Sequence, residues 1–217
     1  MPQFFAYPLE ELPYLIISLL IAFSFHEWAH ALTALAFGDD TAKNEGRLSL
    51  NPFVHVDIIG LLMVVIAGFG WARPTPVNRF KLKHRRLGSV FISLAGPISN
   101  LLLAFIAVGV LVFITNGTDT TSGDALISFL YIFIRLNIVL FIFNLIPLPP
   151  LDGYQVVSEF FTQRMKSRIQ PLEQYAFLIF LILALTPLYD ITIGPIFNIL
   201  VPSLLTGMVD IFQMILF

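Results

Sequence analysis

The sequence predicts an all-α polytopic membrane protein, with about five transmembrane helices, a re-entrant segment and a small β-hairpin. Hydrophobic residues make up 57% of the 217-residue chain and charged residues 12%, whereas soluble globular chains average about 45–50% and about 25%. Long uncharged stretches alternate with short basic connections, as in chains that cross a bilayer several times. The net charge of −2 gives no reason to expect a nucleic-acid partner.

Five apolar runs are long enough to cross a hydrocarbon core about 30 Å thick. The fourth run barely reaches across, and Pro195 and Pro202 make the helix of the fifth kinked or uncertain. Another apolar stretch, Ile58–Ala72, would be about 22 Å long as a helix, which is too short to span straight. In chain order the five runs are Leu12–Phe37, Leu87–Gly117, Ala125–Leu151, Tyr175–Tyr189 and Ile191–Val209.

The polar stretch Asp39–Asp57 separates the first run from the rest of the chain. Within it, Arg47–Asn51 alternates apolar and polar residues like a short strand and is followed by Pro52, so we expect a small hairpin there. No linker, repeat or low-complexity segment interrupts the sequence, and no loop is long enough to hold a second module. We therefore expect one domain over residues 1–217, with the last helices at about 172–217.

Basic residues set the expected orientation, because connections rich in Lys and Arg stay on the cytoplasmic side of a membrane. Two connections carry such clusters, and the polar loop Asn116–Asp124 then lies outside. The clusters comprise Arg73, Arg79, Lys81, Lys83, Arg85 and Arg86 in one connection and Arg164, Lys166 and Arg168 in the other.

The first run contains the motif His26-Glu27-Trp28-Ala29-His30. On a helix His26 and His30 lie on one face, close enough to hold one zinc, and Glu27 can reach a water on the metal, as in the HExxH metalloproteases. The bland alternative is a solvated helix face. It fits poorly, because Leu12–Phe37 holds no other charged residue and ionisable groups inside spans are functional by default. The chain has no cysteine, so thiolate ligands are excluded.

The stretch Asn144–Gly153 ends the third of these runs with three prolines in four residues. A regular helix cannot continue there, so the backbone unwinds at the membrane edge and brings Asp152 inward. A catalytic zinc needs a third protein ligand and an open position, and Asp152 suits the first need. A turn with a solvated Asp is the plain alternative, and Glu159 and Glu173 are rival third ligands.

A third motif, Gly96-Pro97-Ile98-Ser99-Asn100, interrupts the second run and alone would be an ordinary packing device. With all three motifs in this order, the chain resembles the site-2 protease family of intramembrane zinc metalloproteases over residues 12–155. The resemblance implies a catalytic core there, in a minimal form without PDZ or nucleotide-sensing modules. It implies one Zn²⁺ bound by His26, His30 and Asp152. It implies Glu27 as the general base and Asn144 as the donor to the oxyanion. Gly96, Pro97 and Asn100 would form a structural or substrate-positioning motif.

The resemblance also implies a topology, a location and a substrate class. If one metal binds His26 and Asp152, the first helix enters from outside and ends in the cytoplasm, and Ile58–Ala72 dips in and returns. We expect a multi-pass protein in the cell membrane of a prokaryote, with its active site toward the cytoplasm. Its partners would be the lipid bilayer and a transmembrane protein substrate, cut in or near its span.

Two other functions fit the same residues. One is a zinc-binding scaffold that grips membrane proteins without cutting them, and the other is a metal transporter. A transporter needs ionisable residues at successive depths, and beyond the predicted site only Arg135 lies within a run of this kind.

Overall fold

The computed structural model describes residues 8–67, 70–117, 125–176, 178–179, 182, 186–192 and 194–216. This part of the chain is mostly helical and contains no strand. Its helices are α1 (Leu12–Ala36), α2 (Thr41–Asn44), α3 (Ile58–Ala67), α4 (Arg85–Gly117), α5 (Ala125–Asn144), α6 (Asp152–Ser158), α7 (Gln163–Glu173), α8 (Leu188–Thr192) and α9 (Gly194–Leu216), with a 3-10 turn at Pro52–Val54.

Four described helices, α1, α4, α5 and α9, are long and apolar enough to cross a membrane. The last of them continues through Pro202 for 23 residues, so this proline does not end the helix. The first residues of the predicted run, Ile191 and Thr192, belong to α8. The predicted count of about five spans is not supported by the described residues. The additional run, Tyr175–Tyr189, falls largely outside them, as does the polar loop beyond Gly117.

Helices α4, α5 and α9 pack together around one apolar cluster, which includes Val108 of α4, Ile138 of α5 and Met208 of α9. Small residues allow close contact between these helices, as expected where packing rather than water drives association. At Gly109, for example, a Cβ would lie 2.7 Å from the ring of Phe212. Helix α1 packs across α4 and α5, and this arrangement carries its inner face toward the motifs on both helices.

The two ends of Ile58–Ala72, the stretch predicted to dip into the membrane, lie next to each other. Val56 pairs with Ala72 in an antiparallel bridge, and the Arg73 amide donates to the His55 carbonyl at 2.8 Å. Helix α3 between these points is about 15 Å long, and Val64 on it packs against the first half of α1. The segment from Val56 to Ala72 therefore begins and ends at one place, and its helix lies alongside the amino-terminal half of α1.

The predicted β-hairpin over Asp39–Asp57 is not formed. Short helical turns occupy this stretch, and the isolated bridge described above is the strand-like pairing in the described residues. Local side chains satisfy the backbone instead: the Asn51 amide donates to Ser49 Oγ at 3.1 Å, and the Phe53 amide to Asn51 Oδ1 at 3.1 Å. Such hydrogen bonds compete with a strand ladder, which here had no partner strand.

The carboxyl end of α1 is tied to the segment that precedes α4. Asp39 accepts the Asn78 amide at 2.6 Å, and the Lys83 amide donates to the Phe37 carbonyl at 3.0 Å. Lys81 and Asp40 form an exposed ion pair at 2.6 Å. The loop after α1 and the start of α4 consequently lie at the same end of the molecule.

Candidate active site

Three side chains from two distant parts of the sequence converge midway along α1. Asp152 Oδ2 lies 3.1 Å from His26 Nε2 and 3.4 Å from His30 Nε2. Each of the three residues can offer a ligand atom within 4.8 Å of the other two, and all three are nearly buried. In the part of the chain that the structure describes, this is the group that could hold a metal ion. We call His26, His30 and Asp152 the metal group.

The local sequence explains how these residues meet. His26 and His30 are one helical turn apart on α1, so their rings lie side by side with centroids 4.6 Å apart. Helix α5 ends at Asn144, and the proline-rich residues 145–151 are irregular, as predicted. Helix α6 then begins at Asp152, and a Cβ at Gly153 would collide with the Leu145 carbonyl and lie 2.8 Å from Ile146 O. Glycine there permits the close approach that delivers Asp152.

Both imidazoles are oriented by oxygen atoms behind them. His26 Nδ1 lies 2.7 Å from Asn100 Oδ1, and His30 Nδ1 lies 2.6 Å from the Ile92 carbonyl. Because these oxygens accept, each Nδ1 carries the proton and donates. In the neutral rings both Nε2 lone pairs therefore face Asp152, which is the arrangement of metal-ligating histidines.

The donor set fits a zinc ion. Asp152 Oδ2 is buried and accepts no hydrogen bond from the described residues, while two nitrogen lone pairs face it. Three such atoms repel one another unless positive charge lies between them. A carboxylate must be ionised to act as a metal ligand, so its negative charge also favours a bound cation. Two imidazoles, one carboxylate and an open position form a catalytic zinc set.

Gly96 of α4 forms the wall behind the metal group. A Cβ at this position would lie 2.6 Å from His26 Nε2 and still closer to His30 Nε2. A side chain there would therefore occupy the space between the two ligand nitrogens. Pro97 follows inside α4 and is buried, and Asn100 one turn later contacts His26. The motif Gly96–Asn100 thus supports the metal group from behind.

Glu27 lies beside the metal group and is held by the segment that follows α3. Its Oε2 accepts the Thr75 amide at 2.7 Å, and the Thr75 hydroxyl donates to the Glu27 carbonyl at 3.0 Å. The carboxylate is nearly buried. This geometry fixes the direction in which Glu27 can accept a proton.

A cavity of about 580 Å³ joins these groups. Its lining includes His26, Glu27, His30, Thr75, Asn144 and Asp152. One amide hydrogen of Asn144 is donated to the Leu140 carbonyl at 2.9 Å, so the second is available to a molecule in the cavity. The cavity therefore brings the predicted general base, oxyanion donor and ligands to one space.

The two rival ligands are engaged elsewhere. Glu159 forms an ion pair with Arg79 at 2.6 Å, and Glu173 accepts a hydrogen bond from the Tyr154 hydroxyl. Burial, together with Glu173, raises the pKa of Tyr154 to about 12, so this phenol remains a donor. Neither glutamate belongs to the group around His26.

Three supporting contacts were missed in the sequence: the Ile92 carbonyl, Thr75 and Asn137. A main-chain carbonyl leaves no signal in a sequence, and nothing in the proline-rich connection around Thr75 marks that residue for contact with Glu27. Asn137 did leave a signal, because it is an amide inside the apolar run Ala125–Leu151. It is uncharged, and a search for charged interruptions overlooks it.

The sequence also matches known proteins. The model of Peptidase family M50 matches residues 14–186. The chain is 46% identical to the Bacillus subtilis protein named "Putative zinc metalloprotease YwhC", over the full length of both. It is 31% identical to "Putative zinc metalloprotease Rip2" of Mycolicibacterium smegmatis, over 77% of this chain and 65% of that protein. It is 30% identical to "Putative zinc metalloprotease MJ0611" of Methanocaldococcus jannaschii, over 71% of this chain and 75% of that protein. No solved structure gives a significant match.

Proposed function

The chain belongs to peptidase family M50, and from this we propose that it is an intramembrane zinc metalloprotease that cuts membrane-protein substrates in or near their transmembrane segments. One observation carries the proposal: His26 and His30 of the metal group lie within a helix that is long and apolar enough to cross a membrane. Counted along α1, His26 is about 21 Å from the amino end and about 15 Å from the carboxyl end. A protease site at that depth meets substrates inside the bilayer.

His26, His30 and Asp152 would hold the zinc, and the open position would face the cavity. When bound, zinc activates water and polarises the scissile carbonyl. The protein's own contribution is orientation. The oxygens that accept from Nδ1 orient both imidazoles so that their Nε2 lone pairs point at the same space. Because residue 96 is glycine, no side chain fills that space.

Glu27 acts as the general base and then as the general acid. Its carboxylate accepts a proton from the attacking water and passes that proton to the leaving amine. The Thr75 amide holds Oε2, so the other oxygen does the proton transfer. The general base therefore acts from one fixed side-chain conformation.

Asn144 is the proposed donor to the oxyanion. Its side chain lines the same cavity as Glu27, and one of its two amide hydrogens is already held by the Leu140 carbonyl. That bond sets the direction of the second hydrogen. A fixed donor aimed at developing negative charge is the kind of group that stabilises such a transition state.

The site opens toward the cytoplasm in this proposal. Every Lys and Arg except Arg135 belongs to the connections at the carboxyl end of α1 or to the segment after α5. Two contacts join the segment after α5 to the connection before α4. Arg79 forms an ion pair with Glu159, and Arg86 lies over the ring of Phe160, 4.7 Å from its centroid. By the positive-inside rule, this charge distribution supports a cytoplasmic location for this end. The proposed location is the cell membrane of a prokaryote, which is consistent with the bacterial and archaeal relatives.

A substrate helix must lose its backbone hydrogen bonds before it is cut, because a helical peptide bond is shielded. The irregular residues 145–151 and the irregular segment 70–79 border the cavity and offer a place for an unwound chain. The proposed substrate is therefore a single-span membrane protein whose helix unwinds at the site. This is the substrate class of regulated intramembrane proteolysis.

Metal removal tests the function. The purified full chain would be placed in lipid vesicles with a panel of single-span membrane proteins, and fragments would be identified by mass spectrometry. We expect new fragments whose cut lies in or near a span, their loss after chelation, and their return when zinc is restored. Fragments that persist without zinc, or a panel left uncut by the zinc-loaded protein, would count against the proposal.

A further inference from the structure

Helix α5 carries a buried asparagine, Asn137, that the proposed mechanism does not use. Asn137 is 0% exposed and is hydrogen-bonded to Asn100. Its Nδ2 donates to the Phe133 carbonyl at 2.8 Å, and its Oδ1 accepts from Asn100 Nδ2 at 3.0 Å. Asn100 is also 0% exposed, so the contact is closed to water.

The Phe133 carbonyl sets the direction of the Asn137 amide, and Asn137 together with the Ala22 carbonyl sets the direction of the Asn100 amide. A main-chain carbonyl accepts and cannot donate, so Asn137 must turn its nitrogen toward Phe133 and its oxygen toward Asn100. Asn100 must then turn its nitrogen toward Asn137. This leaves Asn100 Oδ1 facing His26 Nδ1 at 2.7 Å.

The opposite orientation of Asn100 would damage the metal group. Asn100 Oδ1 would then face Asn137 Oδ1 and the Ala22 carbonyl, which lie at 3.0 Å and 3.3 Å from the present nitrogen. The Asn100 amide nitrogen would face His26 Nδ1, which favours a lone pair there and the proton on Nε2. A protonated Nε2 cannot bind a metal.

We propose that Asn137 is a positioning residue that acts through Asn100 to keep the proton of His26 on Nδ1, so that Nε2 is ready to bind zinc. The inference rests on the proposed function of the metal group. Of the two acceptors that hold Asn100, Asn137 makes the shorter contact. It also makes the contact between α4 and α5, because Ala22 belongs to α1.

A purely structural role is the alternative, since buried amides join helices inside membranes. The two roles differ in what they change. A structural amide would lower thermal stability when replaced but leave zinc affinity unchanged. A positioning amide changes zinc affinity and the proton position of His26, even in a folded protein.

The test uses two substitutions of Asn137 and one control. Asn137→Leu removes both hydrogen bonds. Asn137→Asp preserves them, because a buried neutral carboxyl donates its O–H to Phe133 and accepts from Asn100. Ile138→Ala removes a fully buried neighbour on the same helix without touching the amides, so it reports general loosening of α5.

Zinc affinity would be measured by chelator competition with the purified full chain in detergent. We expect Asn137→Leu to bind zinc about 10-fold more weakly, the low end of the effect of outer contacts on a metal site. We expect Asn137→Asp to bind close to wild type, and Ile138→Ala to lose thermal stability but not affinity. Wild-type affinity in Asn137→Leu, or equal losses in Asn137→Leu and Ile138→Ala, would overturn the inference.

A second variant covers the case in which Asn137→Leu does not fold. Asn137→Ser has a side chain too short to reach Asn100, and it should also bind zinc about 10-fold more weakly than wild type. Wild-type zinc affinity in Asn137→Ser would overturn the inference. Failure of wild type to bind zinc would instead overturn the proposed function itself.

Discussion

Gly96 lies against the imidazole of His30 so closely that a methyl group at position 96 would fill the space between the two histidine nitrogens. Gly96→Ala should therefore abolish zinc binding while the helix itself is unharmed, because Ala is the better helix former. We expect zinc affinity to fall at least about 100-fold, beyond what outer-contact changes alone produce. Zinc content of the purified protein measures this.

Gly207→Ala is the matched control, because a Cβ there meets nothing within 4 Å and Gly207 also lies within a spanning helix. This variant should keep zinc and show equal or greater thermal stability. A Gly96→Ala protein with full zinc content would contradict the placement of Gly96 behind the metal.

Asp152, rather than Glu159 or Glu173, should be the third ligand. Replacing each by Ala in turn should reduce the zinc content from one per chain toward zero only for Asp152→Ala. The reason is geometric: Asp152 lies 3.1 Å from His26 Nε2, whereas the two glutamates bond Arg79 and Tyr154. Zinc lost in Glu159→Ala or Glu173→Ala, but kept in Asp152→Ala, would refute the assignment.

The Val56–Ala72 bridge leads to a prediction about topology. Because the chain leaves and returns at one place there, Asn44 and Lys83 should lie on the same side of the membrane. The chain has no cysteine, so single cysteines at Asn44, Lys83 and Asp119 can be labelled with an impermeant reagent. The first two should report the cytoplasm, and Asp119, between α4 and α5, the outside. An external Asn44 would refute the re-entrant arrangement and the orientation of the site.

Local patterns were enough to predict that His26, His30 and Asp152 meet at one place. His26 and His30 share a helix face by spacing alone, and prolines unwind a helix wherever they cluster. The single continuous helix through Pro202 differs, because neighbouring helices can accommodate one proline in a membrane. Its outcome depends on packing that a sequence pattern does not contain.

The predicted hairpin was wrong and Asn137 was missed, because both depend on contacts with distant parts of the chain. The alternation at Arg47–Asn51 suggested a strand, but a strand needs a neighbour, and Ser49 and Asn51 formed local turns instead. Asn137 was overlooked because its significance depends on the rotation of α5 toward Asn100 on α4. Rotations of that kind follow from packing between helices, which no local pattern records.

The most direct test of the account is the comparison of wild type with Glu27→Gln, measuring zinc content and cleavage rate in the same purified preparations. The substitution removes the proton acceptor but leaves all three ligands and the shape of the side chain. The account predicts about one zinc per chain in both proteins and a fall in cleavage rate of about 10²–10⁴-fold in the variant. Cleavage by zinc-loaded Glu27→Gln at close to the wild-type rate would contradict it.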